Sequence, residues 1–247
     1  MNFAPARSTN IHKERIARKH ALVCGLRVFS DMGFSFGLSG HMTVRDPERL
    51  DCFWINPLDV NFKSVRVSDL CLSDSTGQVI NGKWRINASG VELHSAIYRN
   101  RPDVLSVAHV HCTYGKAFSS LKQHLEPLTQ DACAFYEDHA LFDEYSGVAA
   151  DELYGERVAD SLGHRKAAIL ANHGFLTVGP TVEAATWWYI AMSDAARVQL
   201  LVQGAGVAIP HEIARRTAFQ VGTQKSGTLS ARPLFESIMA LSPEAFD

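Results

Sequence analysis

Two histidines separated by one residue, in the run Ser106-Val107-Ala108-His109-Val110-His111, are spaced for joint chemistry. The run is short, apolar and β-branched, and reads as a buried strand. Side chains alternate across a strand, so Val107, His109 and His111 share one face. At about 3.3 Å per residue the two histidine Cα atoms lie about 6.5 Å apart, a span that two rings converging on one ion at about 2.0–2.1 Å can close. The pair is either half of a metal clamp or two hydrogen-bonded core histidines. A second apolar run, Ala167 to Gly174, ends in Asn172-His173-Gly174 and offers a third imidazole.

The elements that must position these rings follow from pattern and punctuation. Residues 1–10 are expected as a frayed arm. His12 to Met32 is expected as a first helix, with Leu22, Leu26 and Phe29 apolar and Gly33 as its stop. Phe34 to Pro47 carries Gly37, Gly40 and His41 ahead of the alternating Met42-Thr43-Val44-Arg45, a glycine-rich loop feeding a strand. Residues 50–86 read as short antiparallel strands (Cys52 to Ile55, Ser64 to Leu72, Val79 to Ile80) with hairpins at Thr76-Gly77 and Asn81-Gly82. Ser89 and Glu92 have capping-box spacing, which predicts Ser89 as the N-cap of a helix running to about Arg99. Cys112 to Ser119 opens a further helix. Residues 128–146 crowd polar and aromatic groups (Gln130, Asp131, Tyr136, Glu137, Asp138, His139), some of them expected to line a site. Helices are expected over 151–163, over 181–203 after Pro180, and from His211 to Gln220. A Gly/Ser-rich loop follows at Gly222 to Ser230, then a final helix begun by Pro233.

The whole chain bounds the function class. Its 247 residues are 46% hydrophobic and 20% charged, with a formal net charge of −2. One α/β domain of this size buries about 70–75% of its unfolded surface and needs no disulfide. No basic run exceeds Arg215-Arg216, so nucleic acid is not an expected partner and a small molecule is. Five scattered cysteines without a Cys-x-x-Cys pair fit a reducing compartment. There is no leader-like apolar stretch and no apolar run of about 18 residues, so no membrane partner and a cytoplasmic location are expected.

The segments Gly40-His41-Met42-Thr43-Val44-Arg45-Asp46, Ser89 to Tyr98, Arg101-Pro102-Asp103-Val104, His109-Val110-His111, Asn172-His173-Gly174 and Val178-Gly179 together resemble the class II aldolase/adducin family, in order, over about residues 12–220. The resemblance implies one α/β domain over 1–247: a three-layer α/β/α fold around a mostly antiparallel sheet, with residues 221–247 as a C-terminal extension. It also implies a homotetramer with active sites between subunits, and places His109, His111 and His173 in the three positions that bind a divalent metal, usually Zn2+, with Mn2+ and Fe2+ as alternatives. Three imidazoles and an open position suit polarising a carbonyl or enolate oxygen while a carbon–carbon bond breaks.

Two departures from the sugar-phosphate members stand out. Those carry Glu or Asp four residues before the helix histidine His94; here that position is Gly90, and Glu92, two residues on, is turned about 200° away. Their phosphate cradle is replaced by Gly40-His41, Asn56-Pro57 and Ser89-Gly90. The resemblance is therefore nearest to the branch holding adducin heads and decarboxylases of hydroxylated aromatic acids. It implies a metal-dependent carbon–carbon lyase, by aldol cleavage or decarboxylation, on a small non-phosphorylated carbonyl or carboxylate substrate. The alternatives are a sugar-phosphate aldolase or epimerase and a non-catalytic adducin-like assembly module. His41, Tyr114, Tyr136, Glu137, His139 and His94 are candidate proton donors; Gly40, Arg45, Ser89, Gly90 and Lys116 are candidate substrate contacts.

Overall fold

The computed structural model describes residues 5–147 and 153–247. Eight strands form one sheet: β1 (His41–Arg45), β2 (Phe53–Ile55), β3 (Cys71–Ser73), β4 (Val79–Asn81), β5 (Ser106–Val110), β6 (His139–Phe142), β7 (Ala167–Leu170) and β8 (Gly174–Gly179). Their order is β4-β3-β2-β1-β5-β8-β7-β6, antiparallel throughout except for the β6/β7 pair. The helices are α1 (Pro5–Asp31), α2 (Ala88–Asn100), α3 (Thr113–Ser119), α4 (Tyr154–Leu162), α5 (Val182–Leu201), α6 (His211–Val221) and α7 (Gln224–Leu241). Among the described residues, no helix is long and apolar enough to cross a membrane.

The central strands are apolar on both faces because both are covered. Met42, Val44, Ala108 and Val110 point to one side and pack with Leu22, Leu26 and Phe29 of α1 and Trp188 and Tyr189 of α5. Val107, Leu176 and Val178 point to the other, against Leu93 and Ile97 of α2 and Val158 and Leu162 of α4. Alternation then sends His41, Thr43 and His109 toward α2, and the β1/β5 register sets His41 opposite His109 and Thr43 opposite Val107. A mostly antiparallel sheet between two helical layers is the architecture expected from sequence.

Five local expectations are corrected. The first helix begins at Pro5, so most of the anticipated arm is helical; residues 1–4 lie outside the described residues. Of the expected strand Ser64 to Leu72 only Cys71 and Leu72 are extended, at the start of β3, and the chain before them makes two 3-10 turns, Phe62–Ser64 and Val67–Asp69: Asn61 Oδ1 accepts from Lys63 N at 2.9 Å and Asp69 Oδ2 from Arg66 N at 3.0 Å, while Phe62, Val65 and Leu70 supply the buried apolar groups that mimic a strand. Thr76-Gly77 does turn β3 into β4, but Asn81-Gly82 leads into an irregular segment with no partner strand. The N-cap of α2 is Asn87, whose Oδ1 accepts from Gly90 N at 2.9 Å and from Ser89 Oγ at 3.1 Å, so Glu92 has no capping role. Finally, Gly222 to Ser230 is not a loop, and Pro233 sits inside a helix rather than opening it. Thr223 caps α7, and a Cβ on Gly227 would lie 2.7 Å from the Trp188 ring, so this small-residue run is a close-packing face.

Candidate metal centre

The three histidines converge from two adjacent strands. β5 ends at Val110, so His109 is its inward residue and His111 the first residue past its end. β7 and β8 are joined by Ala171-Asn172-His173, in which Asn172 takes a left-handed φ of 58° that brings His173 back over β5. The Tyr189 hydroxyl donates to the Val110 carbonyl and fixes the strand end between the two ligand candidates; burial pushes that hydroxyl well above the ordinary tyrosine range, so it stays a donor.

His109 Nδ1 donates to the Phe175 carbonyl at 2.8 Å, which leaves Nε2 bare. Nε2 of His111 lies 3.2 Å from that atom and 3.2 Å from Nε2 of His173. Nitrogens about 2.05 Å from one tetrahedral ion are about 3.3 Å apart, so the spacing is that of three ligands of one cation. His109 is buried, His111 and His173 half-buried. Burial lowers all three from the ordinary imidazole range, His109 well below it and His173 to about 4, where the neighbouring His111 adds to the effect. Neutral rings with converging lone pairs are what a divalent ion requires.

These rings floor a cavity of about 410 Å³ whose wall is largely apolar or aromatic: Leu38, Leu58, Leu93, Tyr145 and Tyr154. Its polar groups include His41, Ser89, Asn87, Glu92 and Asn172. Lys116 is the one lysine or arginine that lines it among the described residues, and its Nζ stands 4.2 Å from the Phe36 ring centroid.

A family model described as the class II aldolase and adducin N-terminal domain matches residues 20–200. The chain belongs to this family. It is 42% identical over 237 residues to a Streptomyces roseochromogenus subsp. oscitans protein named 4-hydroxy-3-prenylphenylpyruvate oxygenase/4-hydroxy-3-prenylbenzoate synthase, covering 94% of this chain and 85% of that one. It is 41% identical over 237 residues to decarboxylase NovR of Streptomyces niveus, covering 94% and 87%. In structure it is similar to the L-fuculose 1-phosphate aldolase of Glaciozyma antarctica PI12, with a TM-score of 0.89, 40% identity, and 100% and 96% of the chains covered.

Against the family expectation, the structure brings together His109, His111, His173, His41, Gly40, Ser89 and Lys116 in one cavity. Gly90 lies beneath the His41 ring rather than open to substrate. Arg45 is withdrawn: it is buried, stacks on Tyr98, and donates to the carbonyls of Leu50, Tyr98, Val104 and Arg101. His139 is held structurally, Nδ1 donating to Phe135 O at 2.7 Å and Nε2 accepting from Leu125 N at 3.0 Å. Tyr136 pairs with His211 at 2.5 Å, and Glu137, at φ 59°, with Arg215, an exposed cluster where the 3-10 turn at Ala132–Phe135 meets α6. Tyr114 packs beside Arg197. Tyr114, Arg45, Tyr136, Glu137 and His139 do not line the cavity. Sequence reasoning missed Glu92, Tyr145, Tyr154 and Asn172 as wall groups and Thr43 and Tyr98 behind His41. An Asn three residues before Gly90 was the legible sign that Ser89 need not be the cap and that Glu92 need not serve a capping box; its Oε1 accepts instead from Gly155 N at 3.4 Å.

Proposed function

We propose that this chain is a divalent-metal-dependent carbon–carbon lyase acting on a small, non-phosphorylated carbonyl or carboxylate substrate, with decarboxylation favoured over aldol cleavage and Zn2+ as the metal ahead of Mn2+ or Fe2+. The observation that carries this reading is the convergence of three imidazole nitrogens, those of His109 and His173 each 3.2 Å from that of His111, in a cavity lined among the described residues by a single lysine cation. A bound ion there supplies a Lewis acid that holds the negative charge appearing on a substrate oxygen as the bond breaks. Lys116 anchors a carboxylate, and the Leu58, Leu93, Tyr145 and Tyr154 wall takes an apolar or aromatic body. Glu92, the one carboxyl group of the wall among the described residues, is the candidate to return a proton to carbon.

The two Streptomyces relatives, one named for a prenylated phenylpyruvate and one for decarboxylation, support an acid substrate. The aldolase match keeps a sugar-phosphate substrate as the second reading. Two groups at the positions of the phosphate cradle are already committed. Asn56 is committed to Met42 N and Pro57 O, and Ser89 donates to Asn87. A soluble homotetramer in the cytoplasm, with sites completed by neighbours, belongs to the same proposal.

The test is elemental analysis of chelator-free protein beside His109→Ala and His173→Ala, followed by carbon dioxide release from 2-oxo and 2-hydroxy aromatic acids and retro-aldol cleavage of ketose phosphates. One ion per chain, lost in both variants, and turnover of an acid are expected. Turnover of a ketose phosphate alone promotes the second reading. Absence of bound metal and of uptake leaves a non-catalytic assembly module.

A further inference from the structure

His41 carries more information than its place in the cavity. Its ring lies directly on Gly90: a Cβ at position 90 would sit 2.6 Å from Cγ, 2.8 Å from Cδ2 and 3.0 Å from Nδ1. Behind it runs a buried chain of side chains. His41 Nδ1 is 2.8 Å from His94 Nε2, His94 Nδ1 is 2.7 Å from Thr43 Oγ1, and Thr43 Oγ1 is 2.8 Å from the Tyr98 oxygen. Tyr98 closes the chain by donating to the Leu105 carbonyl at 3.2 Å. All four side chains are buried.

The far end sets the direction of every hydrogen. A carbonyl only accepts, so the Tyr98 hydrogen goes to Leu105; the Thr43 hydrogen then goes to Tyr98, the His94 Nδ1 hydrogen to Thr43, and the His41 Nδ1 hydrogen to His94 Nε2. Reversing the chain leaves three hydrogen bonds instead of four and sets the Tyr98 oxygen against a carbonyl oxygen with no hydrogen between them. In the four-bond arrangement His41 Nε2 is bare. Among the described residues that atom has no hydrogen-bond partner, and the only side-chain polar atom both buried and unpartnered is Ser95 Oγ. His41 Nε2 therefore opens to the cavity, beside His109, whose ring centroid is 5.1 Å away. His41 is not among the three rings whose nitrogens converge. The chain ends on a carbonyl, so it locks an orientation and conducts no proton.

We propose that His41 is a substrate-positioning residue, locked as its Nδ1–H form by His94, Thr43 and Tyr98, whose bare Nε2 accepts a hydrogen bond from a substrate hydroxyl lying beside the metal centre. The substrate class narrows to acids with a hydroxyl near the carboxylate, such as 2-hydroxy acids. The substrate part rests on the proposed lyase reading; the lock does not.

Neutron diffraction from hydrogen/deuterium-exchanged crystals of the protein as purified tests the lock. Deuterium on Nδ1 of both His41 and His94 and none on His41 Nε2 is expected; deuterium on His41 Nε2 overturns the proposal. Calorimetric titration with mandelate and phenylacetate, which differ by one hydroxyl, tests the role. Wild type is expected to bind mandelate about tenfold more tightly, the size of one buried hydrogen bond. Thr43→Val and Tyr98→Phe, two independent breaks in the chain, are each expected to bring that ratio near one while leaving phenylacetate affinity within about twofold. Equal affinities in wild type, or a preference that survives both variants and so belongs to the metal, overturn the role. Failure of both acids to bind refutes the acid-substrate reading and the hydroxyl role with it, while the neutron result still decides the lock.

Discussion

Replacing Gly90 by alanine sets two effects of opposite sign against each other. Gly90 is the third residue of α2, and its φ is not in the left-handed region, so the backbone accepts alanine. Helix propensity alone then makes the variant more stable by about 0.5–1 kcal/mol. The His41 ring reverses the sign. A methyl carbon 2.6 Å from Cγ cannot coexist with it, and the ring cannot yield without tearing Nδ1 from His94. Overpacking of this kind costs about 1–3 kcal/mol and a broken buried hydrogen bond about 1–3 kcal/mol more. The net expectation is a loss of about 3 kcal/mol, read from urea unfolding of metal-free protein at fixed protomer concentration, so that neither metal nor assembly moves the midpoint. In a His41→Ala background the obstacle is gone, and the same substitution is expected to be neutral or mildly stabilising, a coupling of about 3 kcal/mol in the double-mutant cycle. A Gly90→Ala protein at least as stable as wild type, or one equally destabilised in both backgrounds, refutes the claim that residue 90 is glycine to seat His41.

Three further outcomes follow. Lys116→Met, which keeps a stem of similar length and removes the charge that stands over Phe36, is expected to lower kcat/KM for a carboxylate substrate about 10- to 100-fold, and an unchanged value refutes the anchor. Asp46 is raised by burial, but the Arg15 guanidinium at 2.7 and 3.0 Å, the N–H groups of Arg49 and Glu48 and Trp54 Nε1 at 2.9 Å outweigh this and hold it below the usual carboxylate range. Asp46→Ala is expected to cost about 3–5 kcal/mol in urea unfolding at pH 7; a loss under about 1 kcal/mol contradicts that account. His139 is lowered by burial to about 4, so between pH 6.5 and 4 the unfolded chain binds the extra proton and stability falls on acidification. From pH 7.5 to 5 the metal-free wild type is expected to lose about 2 kcal/mol more than His139→Gln, about 1.4 kcal/mol per unit over the part of the window crossed; equal losses exclude a neutral buried His139.

What the sequence could reveal was set by the range of the interactions involved. The histidine triad was legible because its two parts are local: His109 and His111 share a face by strand alternation, and His173 follows an Asn that tolerates the left-handed turn. The parallel edge strand β6 was not, because His139-Ala-Leu-Phe is pinned by pairing with β7 and by two backbone bonds to His139, none of which the polar neighbours Glu137 and Asp138 announce. Crowded polar residues there looked like a site and are a structural corner instead. The glycine of α7 looked like part of a loop for the same reason: the role of Gly227 is contact with Trp188, a partner 39 positions away.

The absent acid at position 90 is the sharpest case. Read along the chain, Gly90 is a missing catalytic group. In three dimensions the same position is filled by a side chain from β1, 49 residues earlier, because the β1/β5 register sets His41 opposite His109 and α2 passes over both. A loss on one element and a gain on another thus occupy one volume, and only the register that unites them shows that they are one event. The consequence is chemical. A carboxylate at position 90 presents an acceptor that carries charge; His41 presents a neutral acceptor whose orientation is fixed by Thr43 and Tyr98. In a cavity that Lys116 also lines, that exchange leaves one negative charge fewer, which by simple Coulomb balance fits the acid substrate proposed above better than a carboxylate at position 90 would.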